Sequence, residues 1–436
     1  MHTTVSTWIF MTLLLTAGCN PVEPPNNNAY QLIRKSLIEH LDKEVLPFWV
    51  SARINDEVYN GYVPFLDKNL RPTGEVEGHV IVQLRLLYVH AVAISRTADE
   101  GLQTRLLNQY HRKFVFIRQQ YWDEKSGGFF DHSSADGKRK SRASLKETRS
   151  QVHAIYFLAE SYLLIGHKEA LQLARDVFSL IDATGHDTVH GGYSSYYELS
   201  HDHPQNRLKT LGIQMHMLLA LTRLSQGTAE QVYIDRVKEL GEILVSRFDI
   251  PGSRGNTYNA LTYDWQEIPP NGELDTKTVY GHSAELIWYM LESFRVFNKD
   301  VQELRPWLTR LSDALLESGV SRSGAVYWAG AYRGAAEDKT IWWWAQAETM
   351  VALLRVYEVT GEMRYWLAFQ KVRLWTFRNL VSSHSGDWLP FTDRWGFRRP
   401  PFRGAAYWQS GFHVTRALLQ CEKVLDRLIS HNENLS

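Results

Sequence analysis

The sequence predicts an all-α fold of paired helices, on three observations. Apolar residues recur at spacings of three and four, alternation over strand lengths is absent, and a short aromatic connection repeats along the chain. Val152, Ile155, Phe157, Leu158, Tyr162 and Leu163 fall largely on one helix face, as do Leu286, Ile287, Met290 and Phe294. Met350, Val351, Leu354, Val356 and Tyr357 repeat the pattern, and Gly361 is placed to stop that helix. Between such stretches come Trp122-Asp-Glu-Lys-Ser-Gly-Gly-Phe129, His186-Asp-Thr-Val-His-Gly-Gly-Tyr193, Tyr263-Asp-Trp265, Ser323-Gly-Ala-Val-Tyr-Trp328 and Gly386-Asp-Trp388. These units lie roughly 60 to 75 residues apart, the size of one helical hairpin plus a decorated connection. Six hairpins use roughly 400 residues. Closed in a ring, they make a double-layered helical barrel with inner helices facing a central cavity and aromatic connections at one mouth. An open helical solenoid is the competing architecture.

The chain has 436 residues and no Pro/Ser/Gly-rich linker after its N-terminus, which favours one large domain over residues 29–436. Lys plus Arg and Asp plus Glu balance at 48 each, and basic runs are as short as Lys138-Arg-Lys140, so no nucleic-acid partner is expected. The 15 Trp exceed what core packing needs and favour a carbohydrate ligand. At the start, Trp8-Ile-Phe-Met-Thr-Leu-Leu-Leu15 is too short to span a bilayer. Thr16-Ala-Gly-Cys19 follows it, so residues 1–19 resemble a bacterial lipoprotein signal with Cys19 as the lipidated residue. Residues 20–28, rich in Pro and Asn, would then be a tether, and the protein an exported lipoprotein, periplasmic or anchored to the outer membrane. Thr16 in place of the usual Leu and an n-region without Lys or Arg depart from that pattern; a plain secretory signal or a misassigned start is the alternative. Cys421 alone would remain in the mature chain, which excludes an intramolecular disulfide.

Polar residues inside apolar helical runs mark the candidate site. Arg85 interrupts Val80-Ile-Val-Gln-Leu-Arg-Leu-Leu-Tyr88, and His216 interrupts Ile213-Gln-Met-His-Met-Leu-Leu219. His282 and Glu285 share one helix face, as do Trp344 and Glu348. His413 follows Trp408-Gln-Ser-Gly-Phe. Burying such groups is costly without partners, so each must be paired or face a polar cavity. For any one of the 17 histidines a structural or surface role is the default, and a helix-to-helix salt bridge suits Arg85 as well as a ligand role does. Their recurrence on separate inner-helix candidates shifts the reading toward one shared site. Imidazoles, stacking surfaces and a carboxylate are the parts needed to move a proton on a sugar. The histidines lack the grouped spacing of a closed zinc site, and no metal is implied.

These segments resemble the N-acylglucosamine 2-epimerase superfamily, and within it most of all cellobiose and mannobiose 2-epimerases. The family's Lys followed by Asn-Thr-His-Leu-His reads here as Lys209-Thr-Leu-Gly-Ile-Gln-Met-His216. Its Tyr-Gly-His-Asp-x-Glu-x-x-Trp reads as Tyr280-Gly-His-Ser-Ala-Glu-Leu-Ile-Trp288, and its Trp-Trp-x-Gln-Ala-Glu stands intact as Trp343-Trp-Ala-Gln-Ala-Glu348. Gly386-Asp-Trp388 and Trp408-Gln-Ser-Gly-Phe-His413 complete the order. The resemblance implies an (α/α)6 barrel with short hairpin-bearing connections at one mouth. It also implies a cofactor-free proton transfer at C2 of a reducing-end sugar through an enediolate, giving the 2-epimer or, by delivery to C1, the ketose. His282 and His413 carry over as the acid and base pair, with roles set by reaction direction. Glu285 would orient His282, while Arg85 and His216 would bind the open-chain oxygens. Glu348 would hold a substrate hydroxyl or a neighbouring side chain, and Trp344 and Trp408 would stack on sugar faces.

Three departures leave the sugar open: Gly212 and Gln214 replace the family's Asn and first His, and Arg149 stands where disaccharide epimerases often carry Tyr. Arg149 suits a structural ion pair, or a bidentate contact to an anionic sugar. Two rival classes remain at this point. A glycoside hydrolase or polysaccharide lyase on the same barrel needs facing carboxylates, for which Asp264 and Asp387 are candidates. A non-catalytic sugar-binding lipoprotein would bind without proton exchange.

Overall fold

The computed structural model describes residues 24–51, 78–133, 146–195, 208–268, 276–297, 300–382, 387–397 and 409–434. The signal segment, Cys19, residues 20–23 of the tether, Gly386 and Trp408 lie outside them. The fold is mostly helical. Its first helix, α1 (Asn27–His40), starts two residues before the expected boundary, because the Asn26 side chain accepts from Ala29 N at 3.0 Å and caps it. A π-helical turn over Leu41–Val45 joins α1 to the single turn α2 (Leu46–Trp49).

Among the described residues five helix pairs follow: α3 (Val80–Arg96) with α4 (Glu100–Tyr121), α5 (Thr148–Ile165) with α6 (Lys168–Gly185), α7 (Leu211–Thr228) with α8 (Gln231–Arg247), α9 (Tyr280–Ser293) with α10 (Arg305–Ala314), and α11 (Trp343–Thr360) with α12 (Met363–Asn379). The last helix is α13 (Phe412–Glu433). Helix α3 packs on α5, α5 on α7, α7 on α9, α9 on α11 and α11 on α13, and α13 returns to touch α3. Helices α4, α6, α8, α10 and α12 pack outside their partners, and α1 lies against α13.

The two layers differ in sequence for a physical reason. Helix α6 is amphipathic and buries Leu173, Val177, Phe178 and Ile181 on one face, whereas α3 is buried almost all round, as an element covered on both sides must be. Glycines in the left-handed conformation, Gly166 after α5 and Gly361 after α11, end their helices, the second as the sequence predicts. At the C-terminal halves of the inner helices, Arg223 of α7 binds Glu160 at 2.7 Å and Glu292 at 2.8 Å, and Arg355 of α11 lies 3.7 Å from Glu292. This buried ionic network ties α5, α7, α9 and α11 together at the end away from the candidate site.

The connections before the inner helices are stapled by a repeated device. Lys146 Nζ donates to the Asp123 carboxylate at 2.7 Å, and Lys209 Nζ to the Asp187 carboxylate at 2.6 Å. Five residues beyond each lysine, a glutamine amide clamps both backbone groups of the aromatic residue that ends the connection. Gln151 holds Phe129 at 2.7 Å in both directions, and Gln214 holds Tyr193 at 2.9 and 2.6 Å. Gly192 (φ +71°) is required there, since a Cβ would stand 2.7 Å from Gln214 Oε1.

Short strands bridge these connections: β1 (Gly78–His79) with β2 (His132–Ser133), and β3 (Lys209–Thr210) with β4 (Ala260–Leu261). The all-helical expectation needs one amendment. β5 (Lys277–Val279), β6 (Tyr327–Ala331), β7 (Ala336–Trp342) and β8 (Phe391–Thr392) form an antiparallel four-stranded sheet beside the start of α11. Its longest strand reads Ala-Glu-Asp-Lys-Thr-Ile-Trp, mostly polar, and carries no apolar alternation from which a strand is predicted.

Candidate active site

In their N-terminal halves the inner helices open to solvent at few points, and those points are the residues singled out from sequence. Along α3 every side chain from Val80 to Ile94 is buried except Arg85. The same holds in α7 for His216 with Gly212, in α9 for His282, and in α11 for Trp344 through Tyr357. Arg85, His216, His282, Trp344, Glu348 and His413 all fall within the first two turns of their helices. Arg149 is exposed in the first turn of α5.

Trp344 stands between two histidines. Its ring centroid is 5.4 Å from that of His282 and 5.6 Å from that of His413. Gly281 allows this, because a Cβ there would meet the Trp344 ring at 2.4 Å. Nδ1 of His282 bonds the Asn259 carboxamide oxygen at 3.1 Å, and Nδ1 of His413 bonds Glu348 Oε1 at 2.7 Å. With both Nδ1–H groups donated, Nε2 is the ring atom left to exchange a proton. Burial pushes each imidazole down to about 4, opposed by the Glu285 charge at His282 and by the Glu348 hydrogen bond at His413. The part expected of Glu285 in orienting His282 falls instead to Asn259, from the connection before β4. Glu285 Oε1 is occupied by Tyr289 Oη at 2.7 Å and by Arg416 at 2.8 Å, and it reaches His282 only through its charge.

Beneath the histidines lies a buried ion triad. One Arg416 guanidinium nitrogen donates to Glu285 at 2.8 Å and to Glu348 at 2.7 Å, and Trp288 Nε1 donates to the other Glu348 oxygen at 2.9 Å. Burial works to raise the Glu348 carboxyl, but Arg416 and His413 outweigh it and hold it below its ordinary value. Ligand atoms of Glu285, Glu348 and His413 come within 4.8 Å of one another, a spacing a metal ion would accept. The Arg416 guanidinium bound to both carboxylates already supplies the positive charge at that point.

On α7, His216 Nδ1 donates to Gly212 O at 2.6 Å, and its Nε2 lies 3.8 Å from Glu285. Burial takes its pKa to about 3. His153 repeats this geometry on α5: its Nδ1 donates to Arg149 O at 2.9 Å, and its ring centroid is 4.7 Å from that of His216. Arg85 sits over Phe412 at 5.3 Å, and burial with repulsion from Arg416 lowers it to about 10. Arg149 pairs with Glu147 at 3.3 Å. Around Gly212 an added Cβ would meet open space, so the missing side chain leaves room in the cavity. Gln214 is a backbone clamp and does not face it. Among the hydrolase candidates, Asp264 is exposed and bonded to Thr262, while Asp387 is buried against Gln409.

Three contributors escaped the sequence reading: His153, Asn259 and Arg416. The internal repeat marks the first, since His153 follows Gln151 as His216 follows Gln214. Arg416 interrupts an apolar run three residues beyond His413 and carries the same signal as Arg85. Asn259 lies in a connection without any pattern to find it.

Uncharged imidazoles on carboxylate and amide partners, set around an indole at the helix N-termini, are groups suited to moving a proton on a carbohydrate. The comparisons agree: the sequence pattern of N-acylglucosamine 2-epimerase (GlcNAc 2-epimerase) matches residues 61–397, and the chain belongs to that family. A cellobiose 2-epimerase of Dictyoglomus turgidum is 23% identical over 407 residues, covering 90% of this chain and 99% of the relative. The solved cellobiose 2-epimerase of Bacillus thermoamylovorans superposes with a TM-score of 0.78 at 20% identity, covering 91% and 100% of the two chains. A D-mannose isomerase superposes with a TM-score of 0.77 at 18% identity, covering 93% and 100%. The chain is a carbohydrate epimerase or isomerase.

Proposed function

We propose that this protein epimerises the reducing-end sugar of an oligosaccharide at C2, with His282 and His413 exchanging the proton on opposite faces of an open-chain substrate. The observation that carries this reading is the placement of two Nδ1-anchored imidazoles on either flank of Trp344. One imidazole takes the C2 proton through Nε2 and an enediolate forms; the other returns a proton to the opposite face. The two roles interchange with reaction direction. The Glu348 carboxylate stabilises the His413 imidazolium as it forms, while Asn259 fixes the ring of His282. Arg85 and His216 bind the oxygens on which negative charge develops. The helix N-termini around the site add a favourable dipole field for that charge. Trp344 offers the stacking face for the sugar, and Trp408 is proposed to offer a second.

The ring of helix contacts supports an (α/α)6 barrel with the site at its connection-bearing mouth. The Thr16-Ala-Gly-Cys19 segment supports an exported lipoprotein that meets oligosaccharides outside the cytoplasm. Incubation with cellobiose, mannobiose and glucose, followed by chromatographic product analysis, tests the reaction class. Epimerisation yields products of unchanged chain length. Release of monosaccharides from a disaccharide would put a hydrolase in its place.

A further inference from the structure

The sheet of β5 to β8 carries a recess distinct from the histidine cavity. We propose that it is a subsite for the distal sugars of an oligosaccharide whose reducing end occupies the histidine site; that placement of the reducing end rests on the epimerase reading. The recess has a volume of about 520 Å³ and sits beyond the end of the β7–β8 ladder. Lys277, Lys339 and Arg394 face it with Glu337, Asp338 and Asp393, three cations against three carboxylates, beside the Thr340 hydroxyl and the Trp395 indole. Balanced charge gives no field for a polyanion or a polycation. A ring platform among many donors and acceptors suits a neutral ligand dense in hydroxyls, each able to donate and accept.

Trp395 is presented outward by a built turn. The Asp393 carboxylate accepts from Trp395 N at 3.0 Å and Phe397 N at 3.0 Å, and Gly396 takes a left-handed φ of 87°. The indole is 63% exposed, with the Arg394 guanidinium stacked 3.9 Å from its centroid. Phe397, on the same turn, is 70% exposed as well, so two neighbouring aromatic faces are open to a ligand.

An aromatic track joins the recess to the histidines. Trp344 touches Trp328 at 5.7 Å between centroids, Trp328 touches Trp342 at 5.3 Å, and Trp342 touches Phe391 at 5.4 Å. Trp342 pairs with Phe391, and Ile341 with Thr392, so the next residues along the two strands are Thr340 and Asp393 of the recess. At the usual strand rise, Thr340 lies roughly 7 Å beyond Trp342.

The test compares cellobiose, cellotriose and cellotetraose on wild type, Trp395→Ala and Lys339→Ala. In Trp395→Ala the KM for cellotetraose rises roughly fivefold while kcat and the KM for cellobiose hold, and Lys339→Ala shows the same length dependence more weakly. A KM that shifts equally for all three sugars, or for none, overturns the subsite. Calorimetric binding of cellotetraose separates this outcome from failure of the epimerase reading. Should none of the three sugars turn over, weaker binding of cellotetraose to Trp395→Ala than to wild type still supports the subsite, and equal binding overturns it.

Discussion

His413 donates its Nδ1–H to Glu348 at 2.7 Å, and the same carboxylate oxygen accepts from Arg416 at 2.7 Å. One carboxylate therefore sets the tautomer of a histidine and is itself held by a buried guanidinium. The contact gives His413 a charged partner where His282 has an amide, so the two imidazoles are chemically unequal although both are neutral at rest.

Glu348→Gln keeps the shape of that partner and removes its charge. We expect kcat to fall roughly 10²- to 10⁴-fold, the scale of a general acid–base contribution. Circular dichroism checks that the helices persist; a kcat within twofold of wild type would detach Glu348 from the chemistry.

Asn259→Ala frees the His282 ring without touching its carboxylate neighbours. Misorientation of a reacting group costs up to about 10²-fold in rate, so kcat falls by that order while KM moves little. Asn259→Asp, which retains an acceptor oxygen, recovers part of the loss.

Arg416→Met leaves Glu285 and Glu348 buried without their cation. Breaking a buried ionic group in this way costs about 3–5 kcal/mol, read as a lower denaturation midpoint in urea. The double variant Arg416→Met with Glu285→Gln recovers part of that loss, since one orphaned charge is removed.

Much of this arrangement was legible in the sequence because it follows from periodicity and cost. Helical spacing marks α5, α9 and α11, and an arginine or histidine inside an apolar run marks Arg85 and His216, since burial there demands a partner. The partners themselves were harder to read. Glu285 stands one turn from His282 in sequence, which invites a pairing, yet tertiary packing brings Arg416 and Tyr289 to that carboxylate and Asn259 to the histidine. Spacing along one helix reports a shared face; it carries no information on which neighbouring element arrives there. The sheet of β5 to β8 escaped notice for a related reason, because Glu337, Asp338, Lys339 and Thr340 form their strand through pairing with β6 and lack the apolar alternation of a half-buried one.

Stability should fall as the solution is acidified below neutrality. Burial lowers His79 to about 2, His90 to about 4, His216 to about 3, and His282 and His413 to about 4, so the folded protein keeps neutral what the unfolded chain protonates near 6.5. The unfolded state binds more protons between those values, and each such group removes about 1.4 kcal/mol per pH unit as pH drops through that window. Asp131, raised to about 6, and Asp387, raised to about 7, act in the opposite sense, and the five histidines outnumber them. Thermal midpoints measured from pH 7.5 down to pH 5 should decline steadily; a flat profile would contradict buried neutral imidazoles.

The most direct test follows the C2 hydrogen of the substrate by proton NMR in heavy water, with wild type, His282→Ala and His413→Ala. Exchange through protein imidazoles predicts that wild type places deuterium at C2 of the epimer, while the His413→Ala variant, still folded, forms no epimer. Formation of the epimer with its C2 hydrogen retained, or substantial turnover by His413→Ala, would contradict the two-histidine account.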